Sequence, residues 1–348
     1  MFNVTTRALV SFNLGDEIGG EGKNSRTYKA HDPQLSADIV IKQISKSSIQ
    51  NPAEYFSESR ALYASSHPNV VQVHYACEDA GFIYLAMPFY KKGSVRSLLV
   101  KQHLTAREIV SIGCQVLTGL HNVHAKGLVH FDIKADNILL SDRGEALISD
   151  FGLAKPLSNG QAIPEGIYDP NFPPEALQTT HFDATFDIFQ TGLTLYCMSV
   201  GLEAYKAQYM AYFQGGSFDA VKYAKDIADG TYPDRDAFPP HIPIRLKKII
   251  KSCLEVSPSD RPSSALEVMN ALAKVDGAEL DWRFSQEGGD RIWRKDGAGE
   301  NSYVFTIGSD GASTLTKCAA GKIARRVSDG CCADIKPRQI AKVLGSYD

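Results

Sequence analysis

The sequence predicts an α+β fold in three stretches: a strand-rich opening of about ninety residues with one helix, a mainly helical middle to about residue 275, and a small β-rich stretch after it. Three observations lead there. Short β-branched runs separated by turn residues fill the opening. Apolar residues at helical spacing dominate the middle. Near Val275-Asp276-Gly277 the composition shifts to short strand-like runs between Gly/Asp turns. At 348 residues the chain can bury one large core or two ordinary ones.

Taken in order, Phe12 to Ile18 reads as a strand, followed by a glycine-rich turn, then Thr27 to His31 and the β-branched run Ile39 to Ile44. A helix is expected from about Ala53 to Ser65, with Phe56, Leu62 and Tyr63 as its apolar contacts. Val70 to Cys77 and Phe82 to Met87 read as two more strands joined by Glu78-Asp79-Ala80-Gly81. After Gly93 helices take over. Thr105 with Glu108 three positions later has the pattern of a capping box. The helix behind it runs to about Ala125, with Ile109, Ile112, Val116, Leu120 and Val123 at helical spacing. Further helices are expected at 187–200, 203–213, 218–229, 244–254 and 263–274. Pro156, Pro164, Pro170, Pro173 and Pro174 keep the intervening segment irregular.

From Leu280 onward W-R-F, R-I-W-R, Y-V-F-T-I and S-T-L-T-K read as strands, with G-S-D-G as a hairpin turn. Lys322 to Val327 is another strand, and Pro337 to Leu344 a closing helix with proline in its first turn.

The bulk numbers exclude several classes. A hydrophobic content of 43% with 22% charged residues is ordinary for a folded protein and rules out wholesale disorder. A net charge of -3 gives no electrostatic case for nucleic acid or an anionic membrane as a general partner. The opening M-F-N-V-T-T-R-A-L-V lacks the basic start and apolar run of a secretory signal. The most apolar helix candidate, Ile188 to Val200, is too short to span a bilayer and carries Gln190, Thr191 and Thr194. A cytoplasmic protein is expected. The seven cysteines, odd in number and without a C-x-x-C pair, read as thiols.

The chemistry concentrates between His130 and Asn137, H-F-D-I-K-A-D-N, followed by D-F-G at Asp150-Phe151-Gly152. These residue types suit phosphoryl transfer. Asp132 is positioned to receive a hydroxyl proton, Lys134 to balance phosphate charge, and Asn137 and Asp150 to hold magnesium. The bland alternative, a polar loop between two buried strands, does not account for the D-F-G that follows. Upstream, Gly20 and Gly22 in I-G-G-E-G-K-N-S allow backbone amides to approach phosphates closely, although glycines between strands also make plain hairpins. Lys42 ends the strand-like I-V-I-K, where a buried lysine needs an anion, and Glu58 on the next helix can supply one.

In this order the pieces resemble the eukaryotic-type serine/threonine protein kinase fold over roughly residues 8 to 274. The resemblance implies a bilobal kinase domain over 1–275, with an N-lobe at about 8–90 and a C-lobe at about 91–275; the composition shift after it reads as a separate small β-rich module over 279–348, which resembles no named family. It implies nucleotide contacts from Gly20, Gly22, Ser25, Thr27, Val40, Lys42, Glu58, Met87, Phe89 and Leu139, with Met87 before a hinge at Pro88-Phe89-Tyr90. It makes Asp132 the catalytic base, Lys134 the phosphate-neutralising lysine, and Asn137 and Asp150 the ligands of Mg2+, with Mn2+ as a substitute. Asp187 stands where the family anchors its catalytic loop, and Arg261 where it pairs with the glutamate of A-P-E, here Glu175 in F-P-P-E. Lysine two positions after the aspartate is the serine/threonine pattern. The implied partners are ATP and a protein carrying the acceptor hydroxyl.

The departures from the family are specific. Ser25 replaces the third glycine, Thr27 the following valine, and Val40 a smaller residue near adenine. Phe131 replaces the arginine that in the family pairs with an activation-loop phosphate. Between Gly152 and Phe172 only Ser158 and Tyr168 carry hydroxyls, so activity independent of loop phosphorylation is expected. A pseudokinase scaffold and a small-molecule phosphotransferase are the rival readings. His121 and His124, spaced H-x-x-H on one helix, read as packing, and the aromatic run from Tyr205 to Tyr223 as lobe packing before docking surface. Trp282, Trp293 and nearby arginines could form an aromatic-basic surface, but two tryptophans are more often core or core-edge, and the balanced charge of this module favours a protein-interaction or regulatory role over nucleic acid.

Overall fold

The computed structural model describes residues 9–18, 25–49, 51–164, 166, 171–297, 301–319 and 322–346. Gly20, Gly22 and Tyr168 lie outside the described residues.

The opening stretch is an antiparallel five-stranded sheet of β1 (Asn13–Glu17), β2 (Ser25–Asp32), β3 (Ala37–Ser45), β4 (Tyr75–Glu78) and β5 (Phe82–Pro88), in the order β1-β2-β3-β5-β4. Strand alternation divides β3 into two faces. Ile39 and Ile41 are buried with Ala30 and Ala86, while Val40 and Lys42 project from the other side. One helix, α1 (Ser57–Ala64), accompanies the sheet.

Three expectations fail in this region. The helix starts four residues later than Ala53, because Pro52–Glu54 closes a separate short turn and Phe56 is non-helical at φ -111° and ψ 20°. Tyr63 is 78% exposed, since Glu58 and Leu62 take the inward face at i, i+4 and the next position rotates away from it. The run Val70 to Cys77 is a strand only from Tyr75. Val70 and Val71 are buried for a different reason: they bridge to Ile148 of the helical lobe, with Val71 N donating to Ile148 O at 2.9 Å.

The helical lobe contains α2 (Val95–Lys101), α3 (Ala106–Ala125), α4 (Thr185–Val200), α5 (Leu202–Met210), α6 (Ala220–Ala228), α7 (Ile244–Cys253) and α8 (Ala265–Leu272). Two short ladders, β6 (Leu128–Val129) with β9 (Lys155–Pro156) and β7 (Ile138–Leu140) with β8 (Ala146–Ile148), frame the candidate site. The capping box forms as expected: Glu108 N donates to Thr105 Oγ1 and Thr105 N to Glu108 Oε2. Helix α4 is the axis of the lobe, buried at every position from Phe186 to Val200. A Cβ on its Gly192 would lie 2.7 Å from that of Cys253, so glycine lets α7 pack directly against it. The helix expected to reach Phe213 stops at Met210. Gly215 and Gly216, both at positive φ, instead turn a hairpin of β10 (Phe213–Gln214) and β11 (Ser217–Phe218). The aromatic run packs within the lobe, where Tyr212, Tyr223 and Tyr232 form a buried cluster with Ile227.

The last stretch is a meander of β12 (Arg283–Glu287), β13 (Asp290–Asp296), β14 (Asn301–Ile307), β15 (Ser313–Ala319) and β16 (Arg325–Arg326). The final strand is shorter than the run expected from Lys322. Trp293, Phe305 and Leu315 stand opposite one another across three strands and are covered by α9 (Pro337–Leu344) and Trp282. Both tryptophans are fully buried, so the aromatic-basic surface offered by the sequence does not form.

Candidate active site

The His130–Asn137 loop is suspended from one face of α4. Asp187, Gln190 and Thr194, at i, i+3 and i+7, all point at its backbone. Asp187 accepts from His130 N and Phe131 N, each at 2.8 Å, and from His124 Nε2. Gln190 accepts from Ile133 N at 2.9 Å and donates to Phe131 O at 3.0 Å, while Thr194 donates to Ile133 O. These bonds hold Phe131 at φ 66°, a left-handed conformation that a phenylalanine rarely adopts. Sequence reasoning found Asp187 but missed Gln190 and Thr194. Their signal was polar residues at helical spacing inside an otherwise buried helix.

The loop's own polar groups then converge. Lys134 Nζ donates to both carboxylate oxygens of Asp132 at 2.8 Å, and Asn137 Nδ2 donates to Asp132 Oδ2 at 2.7 Å and to its backbone oxygen at 3.0 Å. His130 Nδ1 accepts from Asp132 N, which leaves Nε2 to donate to Ser149 O and ties the loop to the segment before Asp150. Burial keeps this imidazole below the usual histidine range, and therefore neutral.

A second cluster joins the sheet to the lobe. Lys42 Nζ lies 2.7 Å from Asp150 Oδ1 and 2.7 and 3.0 Å from the oxygens of Glu58. Burial opposes charge on Lys42, but the carboxylates of Asp150 and Glu58 overcome it and raise the ammonium well above the usual lysine range. Burial also opposes the Asp150 carboxylate, yet Lys42 prevails and holds it at about 2. Glu58 shares that one cation, so burial and the neighbouring Asp150 charge leave its carboxyl above its ordinary range. The cluster needs Gly152, where a Cβ would sit 3.2 Å from Asp150 Oδ1 and 3.4 Å from Lys42 Nζ.

The remaining predicted contacts fall around this cluster in register. Thr27 on β2 stands opposite Lys42, Ser25 opposite Ile44, and Val40 opposite Met87 of β5. Phe89 follows directly after β5, and Leu139 lies on β7 beside the loop. On the far side of Lys134, a cavity of about 310 Å³ is lined by Arg96, Asp136, Cys197, Tyr205, Lys206 and Met210 among others.

Asn137 Oδ1 and Asp150 Oδ2 accept no hydrogen bond among the described residues, which leaves two hard oxygen donors suited to a divalent cation such as Mg2+. No group of three or more His, Cys, Asp or Glu side chains capable of holding a metal occurs among the described residues. His124 is committed to Asp187, so H-x-x-H is structural.

Where the family carries an arginine, the Phe131 ring is buried 4.9 Å from Phe186 and 6.1 Å from Phe182, edge to face. Phe182 exchanges backbone hydrogen bonds with Ala162, at 2.7 and 3.0 Å. The stretch from Lys155 to Ala162 after D-F-G is thus tied at both ends, by β9 on β6 and by Ala162 on Phe182. Arg261 and Glu175 form a bidentate pair at 2.7 and 2.6 Å below it.

Comparison with known proteins agrees with this geometry. The family model described as the protein kinase domain matches residues 12–273. The serine/threonine-protein kinase PknK of Mycobacterium bovis is 29% identical over 272 residues, covering 76% of this chain and 23% of that protein. The serine/threonine-protein kinase STE20 of Eremothecium gossypii is 26% identical over 267 residues, covering 75% and 26%. The 3-phosphoinositide-dependent protein kinase 1 of Arabidopsis thaliana is 27% identical over 282 residues, covering 76% and 54%. The chain therefore spans about a quarter of the length of the first two and half of the third.

Proposed function

The chain belongs to the protein kinase family, and from that premise we propose that it transfers the γ-phosphate of ATP to serine or threonine hydroxyls of proteins, without needing phosphate on the segment after D-F-G. The observation that carries this reading is the Lys42 ammonium, held between Glu58 and Asp150 at 2.7 Å from each. A buried cation kept charged by two carboxylates is oriented to meet phosphate oxygens. Asp132, fixed by Lys134 and Asn137, aligns the acceptor hydroxyl and takes its proton. Lys134 remains beside it to balance charge on the transferred group.

Asn137 and Asp150 would hold Mg2+, with Mn2+ able to substitute, and the ion would supply positive charge against the phosphates. Gly20, Gly22, Ser25 and Thr27 cover the phosphates, while Val40, Met87, Phe89 and Leu139 enclose the base. The cavity beside Lys134 receives part of the protein substrate.

Independence from loop phosphate rests on Phe131. The contact that would order the segment through a phosphate is replaced by an apolar cluster of Phe131, Phe182, Phe186 and Ala162. Such packing needs no modification to form. The kinase unit is assigned to 1–275 and the second module to 279–348. No helix among the described residues is long and apolar enough to cross a membrane. A cytoplasmic location is favoured by seven unpaired thiols.

The test is turnover of phosphatase-treated wild type and of the Ser158→Ala/Tyr168→Phe double variant, with identification of the phosphorylated amino acid on a generic protein acceptor. Unchanged turnover and phosphoserine or phosphothreonine are expected. Abolished turnover in both preparations would refute the independence, and phosphotyrosine alone would refute the acceptor class.

A further inference from the structure

The C-terminal sheet is not carried on a loose linker. Arg107, in the first turn of α3, donates to both carboxylate oxygens of Asp281 at 2.5 and 3.0 Å and to Gly277 O at 2.9 Å, and pairs with Asp276 at 3.3 Å. The stretch where the composition changes is therefore tied down at three residues. Arg283, which opens β12, donates to His103 O at 2.8 Å and to Glu108 Oε1 at 2.7 Å. Glu108 is the carboxylate whose Oε2 closes the capping box, so one side chain serves both the helix start and the sheet.

The contact continues inward. Trp293 Nε1 donates to His241 Nδ1 at 3.0 Å, with both side chains buried. Phe284 packs against the rings of His103 and His241 at 4.9 and 5.8 Å. Leu280 belongs to the apolar core of the helical lobe itself. Exposed pairs such as Arg107–Asp276 contribute little, whereas desolvated contacts of this kind decide an interface. The accepting Nδ1 leaves the proton of His241 on Nε2, which finds no partner among the described residues. An orphaned buried donor persists only where the surrounding packing outweighs its cost.

We propose that the partner of the C-terminal sheet is the helical lobe of the same chain. The sheet is an intramolecular clamp that closes on the first turn of α3 and on the 239–243 loop, and both segments depend on it for order. The face bearing Trp293 and Phe284 is already occupied, and so cannot serve as the docking surface for a separate protein.

Hydrogen–deuterium exchange on the full chain tests this with Phe284→Ala and Arg283→Ala. Exchange at 103–110 and at Ile242, whose amide in the proline-rich 239–243 loop donates to Pro239 O at 3.1 Å, is expected to accelerate about tenfold in both variants, while β3 and β5 keep their protection. Unchanged exchange at both places overturns the proposal. Trp293→Phe guards against simple unfolding of the sheet, since it removes the N–H but keeps an aromatic ring. Faster exchange at Ile242 with β14 and β15 still protected supports the clamp. Loss of protection in β14 and β15 with 103–110 and Ile242 unchanged marks an independent module and overturns it. None of these measurements reads turnover, so the result does not depend on the phosphotransfer reading.

Discussion

Lys42 and Trp293 each sit on an inner strand of a five-stranded antiparallel sheet, and each is nearly hidden from solvent, yet the two sheets bury opposite chemistry. Around Lys42 the polar atoms are one buried ammonium, the buried Glu58 carboxylate and the half-exposed carboxylate of Asp150. Around Trp293 they are Phe305, Leu315 and the residues of α9, with one neutral hydrogen bond to His241. A buried ion cluster is a poor source of stability, because desolvation offsets most of its Coulomb attraction. A buried tryptophan is a good one. The first sheet therefore places charge where the proposed chemistry needs it, and the second builds an apolar core of its own that keeps Trp293 and Phe284 in place against the lobe.

Four measurements break or sharpen that contrast. The largest effect belongs to the charged side. Asp132→Ala and Lys42→Met are each expected to reduce phosphate transfer by about 10²- to 10⁴-fold, with Asp132→Ala leaving the far-ultraviolet circular dichroism spectrum intact. Next comes Trp293→Ala, which should cost about 3–5 kcal/mol in urea denaturation as a large cavity opens in the C-terminal core. Were it neutral, the apolar role of that sheet would be wrong.

Gln190→Leu should cost about 1–3 kcal/mol, because Ile133 N–H and Phe131 O lose their partner inside the lobe. It should also lower kcat more than it raises KM for ATP, since the loop it supports carries Asp132. A purely structural residue would leave that ratio alone.

The last effect, the smallest when read over a single pH unit, is a pH dependence at the clamp. Burial, reinforced by the nearby charges of His103 and Lys247, depresses His241 to about 3. The unfolded chain takes up a proton near the ordinary value while the folded one refuses it, so stability is lost as pH falls from about 6.5 toward 3, at up to about 1.4 kcal/mol per pH unit. His103, also depressed by burial, adds to the slope in the same direction. His241→Gln keeps an acceptor for the Trp293 N–H and should flatten the slope by one proton; an unchanged slope would assign it elsewhere.

The charged cluster was legible in the sequence because each member is conspicuous where it stands. A lysine at the end of I-V-I-K, a D-F-G and an H-x-D-x-K-x-x-N loop are polar letters in apolar runs, and the fold brings Lys42, Glu58, Asp132, Lys134, Asn137 and Asp150 into two linked clusters. Gln190 and Thr194 were equally conspicuous, but read along the chain they only argued against a membrane span. Their targets are backbone atoms some sixty residues away. The left-handed backbone at Phe131 has no sequence signature, because phenylalanine does not favour it and Asp187 and Gln190 impose it.

The clamp was invisible for the same reason. Trp293 and His241 are separated by 52 positions, and nothing in the local pattern of either names the other. Tryptophans are more often core than surface, but nothing in the pattern says which core they join. Hairpin register and α9 bury them, and both are tertiary effects that override local composition.

The measurement closest to the central claim is transfer of labelled γ-phosphate from ATP to a generic protein acceptor, with phosphatase-treated wild type run beside Asp132→Ala and Asp150→Asn. The account predicts labelled phosphoserine or phosphothreonine from wild type and background from both variants. Equal signal in all three, or none from any of them, would contradict it and leave a nucleotide-binding scaffold in its place.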